Sequence, residues 1–302
     1  MAPPFGSRAT RETSKETMAR ARARASLMPD LLVEARRVAN NVFAGWHGRR
    51  KRGVGEDFWQ FRPYVIGENL AAIDWRRSAR DDHLYVRDRE WQAAHMVWLW
   101  VDESPSMLFK SSLSTVSKQS RALVLAFAMA ELLARSGERL GWLGVSKPIV
   151  SRHAADKLAE ALLAAPTQTE IPDGSTVRNF SEVILFSDFL QPVEETVSKL
   201  KEIAQRGARG HLVQLVDPVE DEFPYSGRVE FSDPETGEKL TAGNAQALRE
   251  NYETLFSDHS RHLRSIAESL GWSYTLHHTN RLASDALISL HMYLMHTRRG
   301  AA

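Results

Sequence analysis

The sequence predicts an α/β protein in which a mostly parallel sheet is flanked by helices, with a small β-rich segment ahead of it. Three observations carry that expectation. Short apolar runs recur at 96–101, 140–145, 183–186, 211–216 and 272–277; a helical stretch separates each from the next; and the first and fourth runs end directly on an aspartate, the third on Ser187-Asp188. Strands that alternate with helices need crossover connections, which makes the strands parallel and covers both faces of the sheet.

Taken in order, residues 1–27 form a basic arm expected to be disordered, because few of its residues can be buried. Residues 1–53 hold 12 Lys/Arg against 4 Asp/Glu, a net +8, so the near-neutral total of +1 leaves −7 on the rest. From Met28 to about Val42 apolar residues fall at helical spacing, with Pro29 and Asp30 suited to a first turn. The glycine-punctuated GRRKRGVG over 48–55 reads as a linker, since it lacks both a preceding strand and Walker spacing. Residues 56–90 are dense in aromatic and charged side chains with short extended pieces, and are expected to wrap the main domain as a scaffold. Arginine beside aromatic rings also suits single-stranded nucleic acid, but the acids Glu56, Asp57, Glu68, Asp74 and Asp81 oppose it, and no nucleic-acid partner is expected.

The helices between the strands are expected over 117–135, 154–165, 193–206, 245–270 and 284–297. Within 227–241, two alternating runs flank Asp-Pro-Glu-Thr-Gly, the pattern of a hairpin inserted into the α/β body. The organisation expected is thus a basic arm (1–27), a helix with a β-rich wrapping segment (28–90), and an α/β domain (91–300) carrying the hairpin.

Composition narrows the chemistry. The chain has 302 residues, 43% hydrophobic and 25% charged, and no cysteine, which excludes disulfides, thiolate metal sites and a cysteine nucleophile. No run approaches the ~18 apolar residues of a membrane span, and the beginning lacks the basic-then-apolar order of a secretory signal. The expected location is the cytoplasm.

Ligands of open parallel sheets bind at the carboxyl ends of the strands. Three acids stand there: Asp102, Asp188 (after Ser187) and Asp217. Asp102, Ser104 and Ser106 alternate along one short loop, so their oxygens can face one small space. Carboxylate and hydroxyl oxygens are hard ligands, suited to Mg²⁺ or Mn²⁺ rather than zinc. The competing reading is that these residues cap the following helix.

The segment Asp102-Glu103-Ser104-Pro105-Ser106-Met107 after an apolar strand resembles the metal-ion-dependent adhesion site of von Willebrand factor A domains. The flanks resemble the bacterial domain-of-unknown-function-58 family. The pieces that carry this are Phe58…Phe61-Arg62-Pro63-Tyr64-x-x-Gly67-Glu68, Ile73-Asp74-Trp75…Ser78-Ala79-Arg80, Leu84-Tyr85-Val86-Arg87-x-x-Glu90, and Asp217-Pro218-x-Glu220…Pro224…Gly227-Arg228-Val229…Phe231-x-Asp233-x-Glu235-x-Gly237. The resemblance implies a von Willebrand factor A-like (Rossmann-like) domain with a divalent cation at the sheet edge. Asp102, Ser104 and Ser106 would be ligands and Asp188 would lie close, often through water. A threonine from an intervening loop completes such sites; Thr167, Thr169 and Thr176 are available, and Thr169 is taken as the candidate. The resemblance also implies a protein partner, a MoxR-type AAA+ ATPase whose Glu or Asp would supply the missing ligand.

The enzyme alternative is a Mg²⁺-dependent phosphoester hydrolase. Against it, Asp102 is not followed by Asp-x-Asp-x-Thr, and neither a phosphate-gripping loop nor a nearby lysine stands out. Gly-x-Ser-x-Gly is also absent. Histidine-based catalysis fares no better: adjacent His277 and His278 cannot face one point on a strand, His291 and His296 are five apart on a helix, and Asp258 and His262 read as surface. The expected protein is a binding module rather than an enzyme.

Overall fold

The computed structural model describes residues 14–47, 60–65, 69–80, 83–88 and 95–299. The first helix, α1 (Ser14–His47), starts earlier than the expected Met28. Part of the arm expected to be disordered is therefore helical. Its Ala, Arg, Lys, Glu and Met residues are strong helix formers, and their summed preference outweighs the charge that argued for disorder. Pro29 lies inside the helix rather than in its first turn. Met28, Leu31, Ala35, Val38, Ala39 and Val42 recur at helical spacing and are buried. Residues 1–13 and the basic loop 48–55 lie outside the described residues.

The chain divides into two compact units, residues 44–94 and the remainder. In the smaller one, β1 (Gln60–Pro63) pairs antiparallel with β2 (Tyr85–Asp88). Between them lies the short helix α2 (Trp75–Ser78), whose N-terminus is capped by Asp74 Oδ1 accepting from the Arg77 amide at 2.9 Å. The Arg77 guanidinium lies 4.7 Å from the centre of the Tyr85 ring.

The larger unit is built on β3 (Met96–Val101), β4 (Arg139–Trp142), β5 (Glu182–Ser187), β6 (Arg209–Val216) and β9 (Ser273–His278), all parallel, in the order β4-β3-β5-β6-β9. Alternation along each strand sends side chains to two separate cores. Val97, Leu99, Val101, Ile184, Phe186, Val213 and Leu215 pack with α1, α3 (Lys118–Arg135), α4 (Ala154–Ala164) and α8 (Ala283–Arg299). Trp98, Trp100, Val183, Leu185 and Leu212 pack on the other face with α5 (Val193–Gln205) and α7 (Arg249–Ser269). Gly141 is required where it stands: a Cβ there would lie 2.6 Å from the Trp98 ring of the neighbouring strand.

The expected strand over 140–145 ends at Trp142, because the chain turns at Gly144 with φ +75. The expected helix from 245 begins with a 3₁₀ turn, Ala245–Leu248. After β6 come α6 (Pro218–Glu222) and the hairpin β7 (Val229–Ser232) with β8 (Lys239–Ala242), antiparallel and outside the main sheet. The chain leaves β3 for β4 on one side and returns to β5 on the other. The carboxyl ends of β3 and β5 are thus the point where strand order reverses, the place where α/β sheets open a crevice.

Candidate functional site

Asp102 follows β3 directly and is 0% exposed. Its amide donates to the Phe186 carbonyl at 2.9 Å, which sets it level with Ser187 at the end of β5. Oδ1 accepts from the Ser104 amide at 2.8 Å; Oδ2 accepts from the Ser187 hydroxyl at 2.6 Å and the Gln191 side-chain amide at 3.1 Å. Ser187 Oγ in turn accepts from the Phe189 amide at 2.8 Å. Phe189 itself is buried with φ +55, a left-handed conformation held beside the site.

Ser104 begins the 3₁₀ turn Pro105–Leu108, but its hydroxyl makes no cap hydrogen bond. It meets the Ser106 hydroxyl at 3.1 Å. The capping alternative thus accounts for the Ser104 amide, which Asp102 accepts, and leaves both hydroxyls facing one another beside Asp102. The Ser106 amide donates to Glu235 Oε1 at 2.9 Å, and Glu235 comes from the tip of the β7–β8 hairpin.

Asp188 is buried, and its Oδ2 accepts from Lys118 Nζ at 2.8 Å. Lys118 is the first residue of α3, is 0% exposed, and also donates to Glu220 Oε1 at 2.5 Å. A nearby lysine therefore exists, contrary to the sequence reading. Local spacing gave no hint of it, because its partners lie 70 and 102 residues away. The third strand-end acid, Asp217, has a structural role. It forms a capping box with Glu220 at the start of α6, and its Oδ2 accepts from the Ser111 amide at 3.0 Å.

Of the candidate threonines, Thr169 comes nearest by hydrogen bonding: its backbone carbonyl accepts from the same Gln191 amide nitrogen that reaches Asp102, at 2.8 Å. Thr167 lines a cavity of about 90 Å³ with Arg24, Leu31 and Glu103. Thr176 is exposed in the 3₁₀ turn Gly174–Thr176, whose Gly174 packs on Ile203 and Arg206 at the far end of α5.

Negative charge at this edge is in excess. Burial first, and then the neighbouring Asp188, push the Asp102 carboxyl up to about 7. Burial likewise raises Glu220, against the pull of Lys118. Glu235 is raised by burial too, with Asp188 and Asp233 adding to it. For Lys118, burial works downward, but Asp188 and Glu220 outweigh it and its pKa stands raised.

The neighbouring Glu103, also buried, is held differently. Arg24 of α1 donates to it from one nitrogen at 2.7 and 2.9 Å and to the Ala165 carbonyl from the other at 2.9 Å. The Gln168 amide adds a contact at 3.1 Å. Sequence reasoning gave no site role to Glu103, Lys118, Gln191 or Glu220: apart from the capping contact of Glu220 with Asp217, their partners here are distant in the chain.

What this arrangement can hold follows from its donors. Among the described residues, no three His, Cys, Asp or Glu side chains are grouped as a metal cage. A cation here would therefore rely on the Ser104 and Ser106 hydroxyls beside Asp102 and Asp188. All four offer oxygen, the chemistry of a hard dication, and the uncompensated charge on Asp102 is the kind such an ion relieves. The histidines belong to other parts of the fold: His211 is buried between Glu182 and Ser273, at 3.0 and 2.7 Å. Burial, with Arg121 nearby, pushes His277 down to about 4.

A family model described as "Protein of unknown function DUF58" matches residues 60–262. Uncharacterized proteins of Mycobacterium tuberculosis (Rv1480) and Mycobacterium bovis (Mb1516) are each 25% identical over 298 residues, covering 92% of this chain and 90% of the relative. Among solved structures, an aerotolerance-related membrane protein from Bacteroides fragilis, carrying multiple mutations to serines, is similar at TM-score 0.39 and 12% identity, over 66% of this chain and 98% of that one. The conserved hypothetical protein BatB from Bacteroides thetaiotaomicron is similar at TM-score 0.38 and 14% identity, over 68% and 100%. Among the described residues, no helix is long and apolar enough to cross a membrane.

Proposed function

This chain belongs to the DUF58 family, and on that premise we propose that it is a protein-interaction module that docks an acidic side chain of a partner on a divalent cation. In this reading the domain is von Willebrand factor A-like and the site is of the metal-dependent adhesion type. Asp102, Ser104, Ser106 and Asp188 would hold Mg²⁺ or Mn²⁺, with Thr169 as the threonine that completes the set. When bound, the cation supplies a compact positive charge to an incoming carboxylate. The protein's own groups orient it: Ser187 and Gln191 fix Asp102, and Asp102 fixes the loop that carries both serines.

The observation that carries the reading is the wholly buried Asp102, pushed up to about 7 by burial and Asp188, with two serine hydroxyls beside it. A buried acid without a cationic partner is costly, and a dication offsets that cost. The partner we favour, from the resemblance in sequence, is a MoxR-type AAA+ ATPase that presents Glu or Asp. The test is calorimetric titration of Mg²⁺ and Mn²⁺ into the full chain and into Asp102→Ala, alongside a binding assay with such an ATPase with and without chelator. The reading expects saturable metal binding that the substitution removes, and partner binding lost in chelator. Absence of heat with either ion, together with chelator-insensitive binding, would sink it.

One observation supports the second reading, a Mg²⁺-dependent phosphoester hydrolase: a lysine ammonium stands on Asp188. That ammonium is wholly buried and committed to two carboxylates, so it is poorly placed to grip a phosphate. Turnover of p-nitrophenyl phosphate that vanishes in Asp102→Ala would favour the hydrolase.

A further inference from the structure

We propose that the Ser106 amide is a carboxylate-binding subsite, and that Glu235 of the β7–β8 hairpin is its resident occupant, standing where an acidic side chain of a partner protein docks. The inference rests on the reading of the Asp102 loop as a docking point, and it adds the occupant that a partner must displace.

The hairpin tip is built to present this one side chain. Asp233 shapes the turn: its Oδ1 accepts from the Glu235 amide at 2.8 Å, its Oδ2 accepts from the Thr236 hydroxyl at 2.8 Å, and its backbone bonds to Gly237 and Glu238. Gly237, with φ +73, closes the turn in a conformation that other residues resist. The Glu235 carboxylate takes no part in that turn. It reaches instead across 129 residues of sequence to the Ser106 amide. The strand that leads into the turn is held by aromatic packing, with the Phe231 ring 5.8 Å from Phe223 and 5.1 Å from Tyr225. The Glu235 carboxylate is thus held at this loop by Ser106, through its amide and its hydroxyl, and charge-assisted hydrogen bonds to one residue are contacts that a competing carboxylate can replace.

The surroundings describe the competitor. Leu108 and Phe109 follow Ser106 on its turn and are 46% and 37% exposed; Leu190, two residues past Asp188, is 56% exposed. An amide that takes a carboxylate, with exposed apolar side chains on the adjoining turns, fits a Glu or Asp with apolar neighbours, which would cover those side chains while its carboxylate takes the amide. Tethering gives Glu235 a high effective concentration, so it sets a threshold that weak acidic ligands fail to cross.

The test uses the full chain, wild type and Glu235→Ala, with a labelled synthetic peptide of residues 229–241 as the probe, read by fluorescence anisotropy. Because the Glu235 carboxylate lies outside the turn, the variant keeps its fold, which circular dichroism checks. The peptide should bind Glu235→Ala at least about tenfold tighter than wild type, the effect of one charge-assisted hydrogen bond. The same peptide carried as Glu235→Gln should lose that gain. Equal affinity for the two chains, or no binding to Glu235→Ala, overturns the proposal. Repeating the series in Mg²⁺ and in chelator separates it from the metal reading. A gain that persists in chelator, with no calorimetric Mg²⁺ binding, upholds the subsite and removes the metal. Saturable Mg²⁺ binding without discrimination between the chains leaves the metal and removes the subsite.

Discussion

Asp102 and Glu103 are consecutive acids, both buried at the end of one strand, and the fold treats them in opposite ways. Glu103 receives Arg24, 79 residues away on α1, one of whose nitrogens reaches both of its oxygens. Asp102 receives an amide, a hydroxyl and a side-chain amide, and among the described residues no basic side chain joins it. Burial, and then Asp188, hold its carboxyl up at about 7. The chain can deliver an arginine to this spot, since it does so one residue along. On the dication reading, leaving Asp102 without one keeps the place open to an outside cation, while Glu103 is a closed structural joint between the strand and α1.

Lys118 stands between these two cases, and removing it gives the largest effect we expect. Lys118→Met strips the ammonium from both Asp188 and Glu220, and loss of one partner from a buried ion pair costs about 3–5 kcal/mol. Urea denaturation in chelator should show a loss at the upper end of that range. If the dication reading holds, saturating Mg²⁺ should restore part of it, because Asp188 then gains a new counter-charge. Full loss with no response to Mg²⁺ would make this edge a purely structural ion cluster.

Arg24→Met sharpens the closed side of the comparison. It leaves Glu103 buried with only the Gln168 amide, and should cost about 3–4 kcal/mol by the same denaturation measurement. Here Mg²⁺ should restore nothing. Adding Glu103→Gln to the variant should recover part of the loss, since the uncompensated charge is then gone.

The pH profile tests Asp102 directly. Its folded-state pKa, about 7, lies above the ordinary 3.8, so the folded chain holds a proton that the unfolded chain releases. This group's contribution is therefore most favourable at acid pH. It declines as pH rises from about 4 to about 7, and stays flat above that. A shift of that size represents roughly 4 kcal/mol above pH 7; in chelator, Asp102→Asn, which keeps only one of the two acceptor oxygens, should remove the decline and recover about half of it at pH 8, with no gain at pH 4. With Mg²⁺ present the ordering should reverse, because wild type gains the ion and the variant does not. A chelator profile identical in the two chains would show that Asp102 is already compensated.

Much of the scaffold behind this comparison could be read from sequence. β3 spans Met96–Val101 as expected, and the helices from 117, 154 and 193 fall within a residue or so of their expected limits, because apolar runs and helical spacing are local signals. The alternation of strand and helix gave the parallel sheet for the same reason. The start of α1 was misread, since a charged Ala-Arg stretch shows no apolar stripe until Met28 although its residues favour helix throughout. Within the site, the loop Asp102, Ser104 and Ser106 was visible because its spacing lies in one segment. Lys118, Glu220 and Glu235 were not, although Glu220 and Glu235 stood among residues already singled out. Nothing local says that a hairpin tip will fold onto a loop 129 residues away, or that the first residue of a helix will meet acids 70 and 102 residues away.

Asp217 gives the smallest effect and the sharpest control, because it shares the strand-end position of Asp102 and Asp188 without sharing their circumstances. Each of its oxygens is met by a backbone amide, from Val219 and Ser111, and its own amide is answered by Glu220. Asp217→Asn keeps an acceptor for one of these amides, so the loss should be about 1 kcal/mol, typical of a weakened helix cap. Mg²⁺ titration should be unchanged in this variant. If position at the end of a strand were enough to recruit the ion, Asp217→Asn would weaken Mg²⁺ binding as Asp102→Asn does. If the deciding property is a buried carboxylate left short of positive charge, only the change at Asp102 should register.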